Sequence, residues 1–109
     1  MLLKLNESKP GRVFSPVEVS DGYIGTTTEY QPGRMISANV QTAESRLNAE
    51  LYGERVSEML TLYLCRPYFL EKGEAVAIGL AEKPTHKVID CKHYRLHTVA
   101  LAEVIRHAD

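Results

Sequence analysis

The chain has no tryptophan, only two cysteines, no long apolar run and almost no net charge. Each shortage removes a class of protein. No stretch approaches the ~20 consecutive apolar residues that span a bilayer as a helix, and the opening Met1-Leu2-Leu3-Lys4-Leu5-Asn6-Glu7 meets charge too soon to form a secretory h-region. A soluble protein without a membrane partner is expected. The 13 basic and 14 acidic residues leave a formal net charge of -1, so the whole-chain electrostatic footprint of a general nucleic-acid binder is missing. The aromatic residues Tyr23, Tyr30, Tyr63, Tyr68, Phe69 and Tyr94 are scattered along the sequence without an interleaved basic cluster. They are assigned to core and interface positions rather than to base stacking.

Catalytic signatures are scarce as well. The glycines form neither a phosphate loop nor a dinucleotide fingerprint, and Ser15, Ser20, Ser37, Ser45 and Ser57 stand in no nucleophile-elbow pattern. Cys65 and Cys91 lie in apolar, strand-like surroundings and are expected to be buried free thiols of a protein made in a reducing cytoplasm. The sharpest metal candidate is Cys91-x-His93-x3-His97. On one straight strand its ends would lie ~20 Å apart at roughly 3.3 Å per residue, whereas zinc ligands converge within ~2.0 to 2.3 Å of one point. Only a tight bend at residues 93–95 would bring them together, and the spacing of common zinc sites is missing. Neither catalysis nor a metal or cofactor is expected.

What remains is a chain of 109 residues, the size of a single domain with one modest core. Residues 1–12 end in the turn-forming cluster Ser8-Lys9-Pro10-Gly11 and read as a flexible N-terminal arm, with the domain proper at 13–109. Residues 13–19 and 23–30 read as a hairpin around Ser20-Asp21-Gly22, closed by Gln31-Pro32-Gly33. In 35–41 the alternation is clean, with Ile36, Ala38 and Val40 on one face and Ser37, Asn39 and Gln41 on the other.

A helix over 43–52 follows, with Thr42 as N-cap, Ala43, Leu47 and Leu51 at i, i+4 and i+8, and Gly53 at its end. At this length it falls below the ~12 to 15 residues needed for independent stability, so it docks or it moves. Arg46 and Glu50 are spaced for a weak ion pair. Alternation resumes over 56–65, with Val56, Leu60, Leu62 and Leu64 on one face and Met59, Thr61, Tyr63 and Cys65 on the other, both apolar enough for a central strand, and 66–73 reads as a loop. Strands are expected at 74–78, 85–91 and 95–105, the last ambiguous with a helix by period alone. The expected fold is mainly β, a small antiparallel barrel of about six or seven strands with one short helix in a long inter-strand loop.

The segments that carry a resemblance are Asp21-Gly22-Tyr23-Ile24-Gly25, Ile36-Ser37-Ala38-Asn39-Val40-Gln41, the polar arm to Gly53, Val56-Ser57-Glu58-Met59-Leu60-Thr61-Leu62-Tyr63, Lys72-Gly73-Glu74-Ala75-Val76-Ala77-Ile78 and His86-Lys87-Val88-Ile89-Asp90. In this order they resemble the head-tail connector proteins of long-tailed bacteriophages, specifically the small head-closure or stopper family, also called head-tail adaptors or joining proteins. The resemblance implies a non-enzymatic virion protein with a β-barrel core, present in the host cytoplasm during assembly. It implies a ring, a dodecamer in that family, beneath the portal-attached adaptor. That ring would close the DNA-filled head and present the surface for a tail-terminator or tail-completion protein. The loop matching 41–56 would shape the channel and meet packaged DNA without sequence specificity. The assembly residues implied are Thr42, Glu44, Arg46, Asn48, Glu50, Tyr52, Gly53, Glu54 and Arg55 of the helical arm 42–55. The alternatives are a tail-completion or terminator protein and an oligonucleotide-binding β-barrel.

Overall fold

The computed structural model describes residues 8–20, 22, 25–79 and 81–106. They form six antiparallel strands in a single sheet: β1 Ser8–Ser20, β2 Thr26–Thr42, β3 Met59–Cys65, β4 Ala75–Ile78, β5 His86–His93 and β6 His97–Val104. Hydrogen bonding follows the order β1-β2-β3-β6-β5-β4 and returns from β4 to β1, so the sheet closes on itself. One short helix, α1 Arg46–Tyr52, runs directly into a 3-10 helix, Gly53–Glu58, between β2 and β3.

Alternation decides which side chains enter the closed sheet. Ile36, Ala38 and Val40 of β2, Leu62 and Leu64 of β3, Val88 of β5 and Ala100 and Ala102 of β6 turn inward and are buried with Val13 and Val76. Burying each of the larger aliphatic chains contributes about 1.5–3 kcal/mol. Small residues are needed where strands crowd. A Cβ on Gly11 would come within 3.2 Å of the Ala77 carbonyl oxygen and 3.3 Å of Val76 Cγ2, so glycine lets β1 lie between β2 and β4. A second cluster of Phe14, Ala75 and Ala77, with Tyr30 and Ile105 against it, covers the outside of the β1–β4 pairing.

Several boundaries differ from the sequence expectation. Ser8 to Arg12 belong to β1, paired from Ser8 opposite Asn39 to Arg12 opposite Met35, and are not part of a flexible arm. The first seven residues of that arm lie outside the described residues. The strands expected at 23–30 and 35–41 belong to one strand from Thr26 onward, because Gln31-Pro32-Gly33 continues the ladder opposite Phe14 and Ser15 instead of turning. Pro16 and Pro32 are tolerated there because β1 pairs with β4 only over Gly11–Phe14 and β2 with β3 only over Asn39–Thr42. Beyond those positions each strand has one free edge, where a missing N–H costs no ladder bond.

The segment expected to resume as a strand at Val56 is 3-10 until Glu58, and β3 starts at Met59. The ambiguous C-terminal segment is a strand, aligned from Met59 opposite Glu103 to Cys65 opposite His97.

The two ends of the closed sheet are unlike. One end carries α1, the 3-10 helix and the β4–β5 connection at 79–85. At the other end, β1 and β2 continue past the rest of the sheet as a two-stranded ribbon, beside the β3–β4 connection at 66–74 and the β5–β6 turn at 94–96. The ribbon makes the molecule elongated, 54 × 32 × 28 Å.

Candidate functional site

The arm is built differently from the expectation. Thr42 is the last residue of β2, paired with Leu60, and the N-cap is Ser45, whose Oγ accepts from the Asn48 N–H at 3.1 Å. Extended pairing of Thr42 with β3 outcompetes a cap at that position. The helix therefore starts at Arg46, three residues later than expected. Gly53 ends it at a φ of 62°, a left-handed value that favours glycine.

Of the expected stripe only Ala43 is buried. Leu47 and Leu51 are 63% and 64% exposed, so the apolar face of α1 looks outward and not onto the core.

The polar residues divide into two groups. Asn48 folds back on its own chain, its Nδ2 donating to the Ala43 carbonyl at 2.7 Å. Arg55 makes a forked pair with Glu103 of β6, Nε to Oε2 at 2.8 Å and Nη2 to Oε1 at 2.7 Å, and its guanidinium lies 5.7 Å from the Tyr52 ring centre. This pairing raises the Arg55 pKa and lowers that of Glu103. Arg106 adds an ion pair to Glu58. The root of the arm is thus fastened to β6. Glu44, Arg46, Glu50 and Glu54 stay exposed, Arg46 and Glu50 forming the expected i,i+4 pair at 3.7 Å. Between the start of the arm and the outer face of β3, β5 and β6 runs a groove of about 460 Å³, lined by Leu47, Asn48, Tyr63, Lys92, Tyr94 and Leu101 among others.

The opposite end holds a cluster that the sequence reading dispersed. Arg66, Tyr68 and Phe69 of the β3–β4 connection meet Tyr94, Arg95 and His97 around a cavity of about 300 Å³. The Tyr94 and His97 rings stack with centroids 4.7 Å apart. The β3–β6 pairing of Cys65 with His97 brings these segments together. The connection is fixed from the ribbon's base by Arg34, which forks onto Glu74 at 2.9 and 3.0 Å, donates to the Phe69 carbonyl at 2.8 Å and lies 4.1 Å from the Phe69 ring centre. Leu70, fully buried, turns from this connection into the core.

The cysteines are free but not as expected: Cys65 is exposed on the outer face of β3, and Cys91, opposite Ala100 beyond the β5 bulge, is half-buried against the core cluster. The β5–β6 turn does bend the Cys91/His93/His97 segment, yet His97 goes to the Tyr94 stack. His93 Nε2 faces Glu71 Oε1 at 3.0 Å and Cys91 Sγ at 3.6 Å, and its Nδ1 faces Thr98 Oγ1 at 3.2 Å. A base that activates a thiol needs one ring nitrogen on the thiol and the other on the carboxylate; here one nitrogen faces both. The thiol donates to the Leu70 carbonyl at 2.8 Å. Burial and the carboxylates of Glu71, Asp90 and Glu74 push its pKa up to about 11, the reverse of an activated nucleophile. Among the described residues no cluster of three or more His, Cys, Asp or Glu side chains is arranged to hold a metal ion.

No family model matches the chain, and no curated protein does so either. Among solved structures, the solution structure of protein SF1141 from Shigella flexneri 2a superposes with a TM-score of 0.64 at 8% sequence identity, over 94% of this chain and 96% of that one. At that identity the likeness is one of fold: both chains share this arrangement over nearly their whole length.

Proposed function

We propose that this chain is a small β-barrel protein of the phage head-tail connector, closing the DNA-filled head and forming the surface to which the tail attaches. The observation that carries this reading is the arm. Its root is clamped to β6 through Arg55 and Glu103, while Leu47 and Leu51, the two large apolar residues of α1, face outward. Two exposed leucines one helical turn apart, beside a groove that also exposes Tyr63 and Tyr94, form a surface that is completed by another molecule. In an assembled ring, α1 meets a neighbouring copy or overlooks the channel, with Glu44, Arg46, Glu50 and Glu54 at its polar border. The chain acts by position and performs no catalysis.

The test is complementation of a phage lacking this protein. Leu47→Ser with Leu51→Ser, and separately Glu44→Ala with Arg46→Ala and Glu50→Ala, are expected to leave thermal unfolding near wild type while reducing the yield of DNA-filled, tailed particles counted by electron microscopy. Wild-type yields from both variants would sink the assignment of the arm to assembly.

A further inference from the structure

We infer that the β1–β2 ribbon of one copy docks on the aromatic, basic rim of a second copy, making a head-to-tail contact. The first observation is one of charge. From Val13 to Gly33 the sequence contains Glu18, Asp21 and Glu29 and no lysine or arginine. The segments 66–72 and 92–97 contain Arg66, Lys72, Lys92 and Arg95 against one carboxylate, Glu71, which faces His93. Among the described residues no side-chain hydrogen bond or ion pair engages Arg66, Arg95, Glu18 or Glu29. Acidic ribbon and basic rim are complementary, and Glu18, Glu29, Arg66 and Arg95 are not neutralised among the described residues.

The second observation is topological. In the closed order β1-β2-β3-β6-β5-β4, the β1/β2 junction and the β6/β5 junction lie diametrically opposite. Both the ribbon and the 94–96 turn are at the same end of the sheet. The ribbon leaves one side of a subunit at the height at which the rim of a neighbour, placed on that side in the same orientation, presents Tyr94 and Arg95. Such a contact joins two different patches and propagates into a ring or a filament.

The third observation is that the ribbon lacks support. Beyond Phe14 and before Asn39 the two strands pair only with each other, and a two-stranded hairpin alone is marginal in water. Val19 and the threonines of its outer half are exposed. The opposing rim offers Tyr68, Phe69 and Tyr94, each at least 40% exposed. The contact deepens the connector reading by naming how copies meet, and it is argued from charge, topology and the ribbon's unsupported strands. It is measured in solution, so its failure is distinct from failed complementation.

The experiment is a charge swap followed by sedimentation across concentration at low salt. Wild type is expected to self-associate weakly, and more weakly as salt is added. Glu18→Lys with Glu29→Lys, and separately Arg66→Glu with Arg95→Glu, should each weaken self-association more than about tenfold, since like charges then face each other. An equimolar mixture of the two variants should recover it. All four residues are exposed, and thermal unfolding checks that both variants fold. Arg66→Gln with Arg95→Gln provides a milder loss of charge. Three results would overturn the inference: no association of wild type up to millimolar protein, association unchanged in both variants, or no recovery in the mixture. Salt-sensitive binding of single-stranded oligonucleotide that is lost in the arginine variant, without self-association, would reassign the rim to nucleic acid.

Discussion

The two ends of the closed sheet solve the same problem in opposite ways. At the ribbon end the connection 66–74 is held by burial: Leu70 is fully enclosed, Arg34 forks onto Glu74, and aromatic rings are left outside. At the arm end, α1 contributes no buried residue, and its attachment is ionic, through Arg55 with Glu103 and Arg106 with Glu58. A segment held by apolar burial is part of the folding unit, whereas one held by exposed ion pairs can let go without unfolding the rest. The 66–74 connection is therefore a fixed surface and the helical arm an adjustable one.

The largest effect that separates them comes from truncating leucines. Leu70→Ala is expected to destabilise the chain by about 2–5 kcal/mol in urea unfolding, as for other buried leucines, whereas Leu47→Ala should change stability by no more than about 0.5 kcal/mol. Equal losses would erase the contrast. Hydrogen exchange sharpens it: amides of α1 should exchange quickly while those of Val40, Leu62 and Val99 are slow.

Acid should loosen the arm end in two steps. Burial lowers the pKa of His86, which lies opposite Val104. The folded chain then takes up this proton less readily than the unfolded chain, so stability falls as pH drops below the ordinary value of 6.5. Wild type should lose more stability between pH 7.5 and 5.5 than His86→Gln, and equal losses would refute the assignment. The hydrogen bond from Arg55 lowers the pKa of Glu103 below its ordinary 4.5, so this contribution is present above that value and is lost as pH falls through the folded one. Arg55→Ala should flatten that lower step and speed exchange across 53–58, with little change at neutral pH because the pair is exposed. The smallest effect is chemical. Exposed Cys65 should be alkylated well before Cys91, whose thiol is held to the Leu70 carbonyl and kept protonated.

Much of the closed sheet was legible because its strands repeat with period two. Ile36, Ala38 and Val40 could be assigned to the interior from alternation alone, whereas for β3 alternation grouped Leu62 and Leu64 on one face without showing which face is inside. The long β2 was hidden because Pro32 and Gly33 carry turn chemistry that an unpaired edge renders harmless. The arm misled for a related reason: Ala43, Leu47 and Leu51 have helical spacing, but spacing does not say whether a stripe finds a core. Only Ala43, still outside the helix, is buried. The rim was illegible because Arg66 and Arg95 are far apart in sequence and are brought together by the pairing of β3 with β6. Local pattern reports the face a residue points to, and not the company it keeps across the sheet.

Leu70 has one more consequence. Its side chain joins Val13, Leu62, Leu64, Val76 and Val88 inside the sheet, leaving the lumen solid with hydrocarbon. A cylinder filled in this way is a brick and not a pipe. If copies of this protein surround a passage, its wall is made of their outward faces and its bore is set by how many stand in the circle, so changing the number of bricks would resize the opening without altering a single fold.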